Sequence, residues 1–256
     1  MTRIIAVLSA KGGVGKTTTT SNIGAALADR GKSIIVMDGN ITTPNLSIHL
    51  GIPLAPITLH DVLKGNANIK HAIYRHESGL RVIPASLSVG ALKGLNMDKM
   101  AGALLNLLGN AEIILIDGAA GLGREATAIM ELADEMILVT NPDMPSLTDA
   151  LKAVKVAEQM GTKVIGVVVN RFKGEAHEVS ISEIRDMLEV PVIAVIPEDR
   201  AVPRSIAAKM PVVTKSPRSR SSLEFKRLAA SLAGEAWSEP YKQKNWFDRM
   251  IDYLAG

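Results

Sequence analysis

The sequence predicts an α/β protein built on a doubly wound, mostly parallel sheet. Short apolar runs alternate with helical stretches along the 256 residues. The runs are rich in Ile, Val and Leu and lack strict polar–apolar alternation, the pattern of strands covered on both faces. Apolar residues form 47% of the chain and aromatic ones 3%, so the core is aliphatic, as parallel sheets prefer. One domain of this length can hold a sheet with helices on both sides.

Strands are expected over residues 3–8, 33–37, 80–84, 112–116, 135–140, 163–169 and 191–196. Helices are expected over residues 17–30, 98–109, 124–132, 146–160, 179–188, 199–208 and 221–234, with Ser221 and Glu224 in capping-box spacing at the start of the last. Ligands of such folds lie at the carboxyl ends of the strands. There is no internal repeat. A composition shift after Gly234 divides the chain into a domain, 1–234, and a linker with a terminal helix, 235–256.

The net charge of +3 does not by itself argue for nucleic acid, and the lack of cysteine excludes disulfides, Fe–S clusters and cysteine-ligated zinc. Between Arg3 and Ser9 stand five apolar residues, shorter than a signal-peptide core. No run approaches the roughly 20 apolar residues of a spanning helix. A cytoplasmic protein is expected.

The first strand runs into Lys11-Gly12-Gly13-Val14-Gly15-Lys16-Thr17-Thr18. Glycines at a strand–helix turn let backbone N–H groups converge on anionic oxygens, and the helix adds its positive end. Lys16 can reach the β- and γ-phosphates and the Thr17 hydroxyl can ligate Mg²⁺. Ala10 stands where the general P-loop pattern has Gly. The motif predicts ATP binding and a sheet of the P-loop NTPase type. Ile113-Ile114-Leu115-Ile116 ends in Asp117, a Walker B carboxylate for the metal, and Gly118-Ala119-Ala120-Gly121 reads as a flexible loop beyond it.

Lys11 adds a cation five residues before Lys16. Alone it reads as a solvated lysine; beside a complete phosphate loop it resembles the deviant Walker A family of MinD and ParA ATPases. The absence of cysteine sets aside the cluster-carrying and zinc-clasped branches and leaves MinD-like and ParA-like members. The resemblance implies a homodimer formed with ATP, in which Lys11 reaches the partner's nucleotide. A cation delivered to the phosphates only on dimerisation would couple ATP occupancy to assembly.

The same resemblance assigns Asp38 to the metal surroundings and Asn40 to the position that orients the attacking water, where the family pattern has Asp. An amide is a weaker acceptor than a carboxylate, so slow hydrolysis is expected; the other reading of Asn40 is a turn residue. Ala119 and Gly123 also depart from the family's Pro and Glu beyond the Walker B strand. The strand ends Asn170-Arg171 and Pro197-Glu198-Asp199 carry the adenine pocket in the family: Asn170 would read the base edge, Arg171 would stack on it, and Pro197 and Asp199 would line the opposite side. As isolated motifs these are loops, with Asp199 a helix N-cap. Asp149 reads either as a dimer-face or partner residue or as a surface acid.

Five of the eight aromatic residues lie between Trp237 and Tyr253, which sets the tail apart from the aliphatic domain. On a helix Trp246, Phe247, Met250, Ile251 and Leu254 form one apolar stripe, beside three cations and two acids over residues 242–254. Such a helix lies in a membrane interface or docks on its own domain. MinD relatives end in such a helix, so residues 242–256 are expected to bind the inner face of the cell membrane peripherally, strengthened by dimerisation. The resemblance therefore implies a MinD-like ATPase that places partner proteins, of the cell-division-site type, with an unknown regulatory partner. The alternatives are a ParA-like ATPase that binds DNA through Lys209, Lys215, Arg218, Arg220, Lys226 and Arg227, or a slow or non-hydrolysing ATP-dependent scaffold.

Overall fold

The computed structural model describes residues 2–237. Its strands are β1 (Arg3–Ser9), β2 (Ile34–Asp38), β3 (Tyr74–Arg75), β4 (Arg81–Ile83), β5 (Ile113–Ala120), β6 (Glu135–Thr140), β7 (Lys163–Phe172) and β8 (Val192–Pro197). Its helices are α1 (Lys16–Asp29), α2 (Leu46–His49), α3 (Leu59–Lys64), α4 (Lys99–Leu105), α5 (Arg124–Leu132), α6 (Met144–Met160), α7 (Ile181–Leu188), α8 (Ala201–Ala207), α9 (Val212–Lys215) and α10 (Arg220–Leu232). The strands form one sheet in the order β3-β4-β2-β5-β1-β6-β7-β8. Every pair is parallel except the short antiparallel contact of β3 with β4.

Alternate residues of each strand enter different cores. Ile4, Ala6 and Leu8 face the side covered by α3, α4, α5, α6 and α7, whereas Ile5 and Val7 face α1, α9 and α10. Both sets are buried, which is why the strands read as continuous apolar runs. β1 lies between β5 and β6 while the chain passes from β1 to β2 on one side and returns to β6 on the other. That reversal opens a crevice at the carboxyl end of β1.

Helix α1 lies between the sheet and α10, and nearly all of its residues are buried. It is rich in Thr, Ser, Asn, Gly and Ala because large side chains would not fit there. A Cβ on Gly24 would come within 2.5 Å of Val36 Cγ2 and 3.2 Å of a Leu80 methyl.

Several local expectations are corrected. The stretch 41–79, to which no element had been assigned, carries α2, α3 and β3; α3 is opened by Asp61, whose carboxylate accepts from the Thr58 N–H at 2.8 Å and its hydroxyl at 2.7 Å. Gly118–Ala120 continue β5 instead of forming a loop, with Ala120 in register with Ser9. Helix α6 begins at Met144, two residues before the expected start, because Asp143 accepts the Ser146 N–H at 2.9 Å. The cap of α10 is Ser219, not Ser221, since the Ser221 hydroxyl donates to Asp199 at 2.9 Å. The chain also stays on the domain past 234: Glu235 pairs with Arg30 and Lys32, and Arg30 lies 5.5 Å from the Trp237 ring centre. The remaining tail, including the stripe from Trp246 to Leu254, lies outside the described residues.

Gly24→Ala tests the packing of α1 on the sheet. Overpacking costs about 1–3 kcal/mol, which exceeds the ~1 kcal/mol that Ala gains over Gly in helix propensity. Urea denaturation should therefore show a less stable protein; equal or greater stability would mean that Val36 and Leu80 yield freely.

Candidate functional site

The carboxyl ends of β1, β2 and β5 meet at one point. Asp38, the last residue of β2, is the register partner of Asp117 within β5, and the loop after β1 brings Lys16 and Thr17 over Asp117. Lys16 Nζ lies 3.2 Å from Asp117 Oδ1, and the Thr17 hydroxyl donates to Oδ2 at 2.6 Å. Thr20, one turn along α1, adds a hydroxyl at 3.3 Å from Oδ1. Lys16 is 8% exposed and Asp117 1%, so this is a buried ion pair closed by two hydroxyls.

The loop owes its shape to Gly13 and Gly15, whose φ values of 78° and 99° belong to the left-handed region. Gly15 is the N-cap residue of α1 and offers no side chain, which leaves the first N–H groups of the helix for an external acceptor. Gly15 is also the closest approach to β7: a Cβ there would lie 2.0 Å from Asn170 Nδ2. The Asn170 amide donates to the Val14 carbonyl at 2.7 Å, tying the loop to the end of β7.

Two cavities adjoin the loop. One is lined by Gly15, Thr18, Asn170, Arg171, Pro197 and Asp199, so the residues expected on the base side do come together. Arg171 stands there at φ 58°, a left-handed position that costs a non-glycine residue energy. The Asp199 carboxylate accepts from Ala201 N–H at 2.8 Å and from the N–H and hydroxyl of Ser221, joining the starts of α8 and α10. Burial opposes its ionisation, but these hydrogen bonds prevail and hold the carboxyl below its usual range. The second cavity is lined by Gly12, Gly13, Lys16, Thr17, Thr18 and Asn40 on its phosphate-loop side.

Asp38 is fully buried and accepts from the N–H groups of Asn40 at 3.2 Å and Leu46 at 3.1 Å. Burial, then the neighbouring Asp117 charge, push its carboxyl well above the usual range. Asn40 closes a turn with Thr43: its amide donates to the Thr43 carbonyl at 2.6 Å, and its oxygen accepts from the Thr43 N–H at 3.2 Å and hydroxyl at 3.1 Å. The turn geometry is thus present, and both ends of the amide are engaged in it. The Lys11 ammonium lies 3.3 Å from the Ser146 hydroxyl and 3.7 Å from Asp143 at the start of α6. Asp149 is half-buried and pairs with Lys152 at 3.1 Å.

Four participants were not anticipated from the sequence: Thr20, Thr43, Asp143 and Ser146. Thr20 stands one turn after Lys16, which puts it on the same helix face. Thr43 meets Asn40 within one turn, and Asp143 and Ser146 enter through Lys11, a contact between separate elements.

The donor chemistry suits a hydrated magnesium ion beside a polyphosphate. A hydroxyl and a carboxylate that already converge are hard oxygen donors, and such ions take one or two protein oxygens with water and phosphate. Among the described residues no group of three or more His, Cys, Asp or Glu could hold a metal. No described helix is long and apolar enough to cross a membrane.

Comparison with known proteins points the same way. A sequence model of the CobQ/CobB/MinD/ParA nucleotide binding domain matches residues 5–212. An uncharacterized ATP-binding protein of Methanocaldococcus jannaschii is 39% identical over 254 residues, 98% of this chain and 96% of its own length. The septum site-determining protein MinD of Pyrococcus horikoshii, solved with Mg-ADP, superposes with a TM-score of 0.87 at 36% identity, over 91% of this chain and 96% of its own. MinD from the MinC:MinD cell division protein complex of Aquifex aeolicus gives a TM-score of 0.83 at 29% identity, over 93% and 98%.

Asp117→Ala would leave the buried Lys16 ammonium without its main acceptor. A loss of about 3–5 kcal/mol is expected for the nucleotide-free protein, because removing one partner of a buried pair leaves the other charge uncompensated. Urea denaturation measures it; no change would mean that Lys16 turns out to solvent at no cost.

Proposed function

The chain is a MinD-like member of the MinD/ParA family of ATPases, and on that premise we propose that its ATP-dependent dimerisation controls membrane attachment and the placement of partner proteins, as in cell-division-site selection. The observation that carries the reading is the convergence of Lys16 and Thr17 on Asp117 beneath the glycine loop. In the proposed complex the N–H groups of Gly12, Gly13, Val14, Gly15, Lys16, Thr17 and Thr18 cradle the phosphates. The Lys16 ammonium leaves Asp117 for the β- and γ-oxygens. Thr17 and Asp117 would hold Mg²⁺, whose charge would offset that of the phosphate oxygens.

Asn170 and Arg171 hold the base. Pro197 forms the opposite wall, and Asp199 keeps that wall in place through Ser221 and Ala201. Asp38 braces the turn that carries Asn40, and with the Asn40 amide already engaged, hydrolysis is slow. Lys11 exchanges its contacts with Asp143 and Ser146 for the nucleotide of a second copy. Residues 242–256 provide the peripheral membrane contact at the inner face of the cell membrane, and a regulatory protein completes the assembly.

A second reading, non-specific DNA binding of the ParA kind, is supported by one surface. Arg200, Arg204, Lys209, Lys215, Arg218 and Arg220 are all exposed around α8, α9 and the start of α10. Sedimentation with anionic liposomes or with DNA separates the two readings, since phosphate-backbone binding weakens steeply with salt.

Lys16→Ala should abolish ATP binding, whereas Lys11→Ala should retain most of it and lose dimerisation in ATP. Light scattering with ATP and with ADP decides: equal dimerisation by Lys11→Ala and the parent would refute the trans-acting lysine.

Deleting residues 242–256 should leave ATP binding and dimerisation intact and abolish sedimentation with anionic liposomes in ATP. Trp246→Glu should act nearly as strongly, because it places a charge on the apolar stripe. In the parent, binding should be stronger with ATP than with ADP, since only a dimer presents two copies of the tail. Loss of nucleotide affinity on truncation would instead mean that the tail is part of the domain's packing.

A further inference from the structure

Glu125 is the second residue of α5, directly after the turn that follows β5. The positive end of the helix favours a carboxylate there. Its Oε1 accepts the Thr42 hydroxyl, which joins the segment after β2 to the start of α5. Its Oε2 is buried and receives no hydrogen bond from any described residue. The carboxylate borders a cavity shared with Asn40, Thr43, Ala119 and Ala120. Asn40, Thr43 and Ala120 also line the phosphate-side cavity, so the two spaces adjoin.

The other acceptors nearby are engaged. Asn40 is closed onto Thr43. Asp38 holds two backbone N–H groups, and Asp117 holds Lys16, Thr17 and Thr20. Among the described residues, Glu125 is the one carboxylate lining either of these two cavities.

We propose that Glu125 is the catalytic base of the slow ATP hydrolysis, turning Oε2 from its buried position into the adjoining cavity to hold the attacking water while Thr42 keeps Oε1. The inference rests on the ATPase reading above. As the water oxygen bonds to the γ-phosphorus, the bond from that phosphorus to the β–γ bridging oxygen breaks. The bridging oxygen keeps the electron pair and leaves as ADP. One water proton passes to Glu125 Oε2, and inorganic phosphate is released. Glu125 thereby supplies, from α5, the carboxylate that position 40 lacks.

The test uses the full chain, steady-state phosphate release from Mg-ATP and a fluorescent ADP analogue for affinity. Glu125→Gln keeps the size of the side chain and an oxygen for Thr42 but cannot take the proton. It should lower kcat by about tenfold or more and leave KM and analogue affinity within about twofold. Adding Asn40→Asp to Glu125→Gln should recover most of the turnover, since a carboxylate again faces the cavity. Turnover by Glu125→Gln within about twofold of the parent overturns the proposal. So does a joint loss of turnover and affinity, which marks a structural role, and so does failure of the added Asn40→Asp to restore any rate. A parent that binds ATP without turning it over overturns the ATPase reading itself, and this inference with it.

Discussion

The nucleotide face depends on one buried ion pair. Asp117 stands at the end of the sheet with almost no solvent, and Lys16 reaches it from the glycine loop. Neither charge is tolerable there alone, because removing an ion from water costs far more than its surface value. Thr17 and Thr20 complete the carboxylate's coordination. The pair also shapes its neighbour, since the Asp117 charge is one reason that Asp38 resists ionisation. A polyphosphate arriving at the loop would find the cation already poised and the carboxylate already stripped of water.

The same economy runs through the outer parts of the site. Asn170 ties the loop to β7, and Asp199 ties α8 to α10. Both stand at strand ends, where backbone groups run out of ladder partners and side chains take over. The basic surface on α8, α9 and α10 adjoins, through α8, the cavity lined by Asn170 and Arg171, where its charge would be felt by any approaching polyanion.

Much of the fold was legible because parallel strands are buried on both faces and leave continuous aliphatic runs. All seven expected strands are present, several of them a residue or more longer at the carboxyl end, where polar residues such as Ser9 and Asp38 stay in the ladder. The short β3, α2, α3 and α9 were missed because elements of two to six residues carry no measurable periodicity. The phosphate loop and the strand-end carboxylate were legible because their residue types are fixed by phosphate and metal chemistry. The partners of Lys11 and Glu125 were not, since each contact joins segments whose proximity only the folded sheet creates. Asn40 illustrates the limit: turn and water-orienting roles share one position, and only the contact with Thr43 shows how its amide is used.

Helix α1 is held on one side by the sheet and on the other by α9 and α10, with its polar side chains spent inside: Asn22, for example, accepts the Val213 N–H at 3.0 Å. A helix so enclosed has no room to shift when its N-terminus meets a ligand. The loop, α1 and the layer above them therefore act as a stator. Any displacement that reports the state of the bound phosphates must be taken up across the sheet, by the turn after β2 and the start of α5, which meet through Thr42 and Glu125. The two faces of the sheet thus divide the labour, one anchoring the ligand and the other free to respond to it.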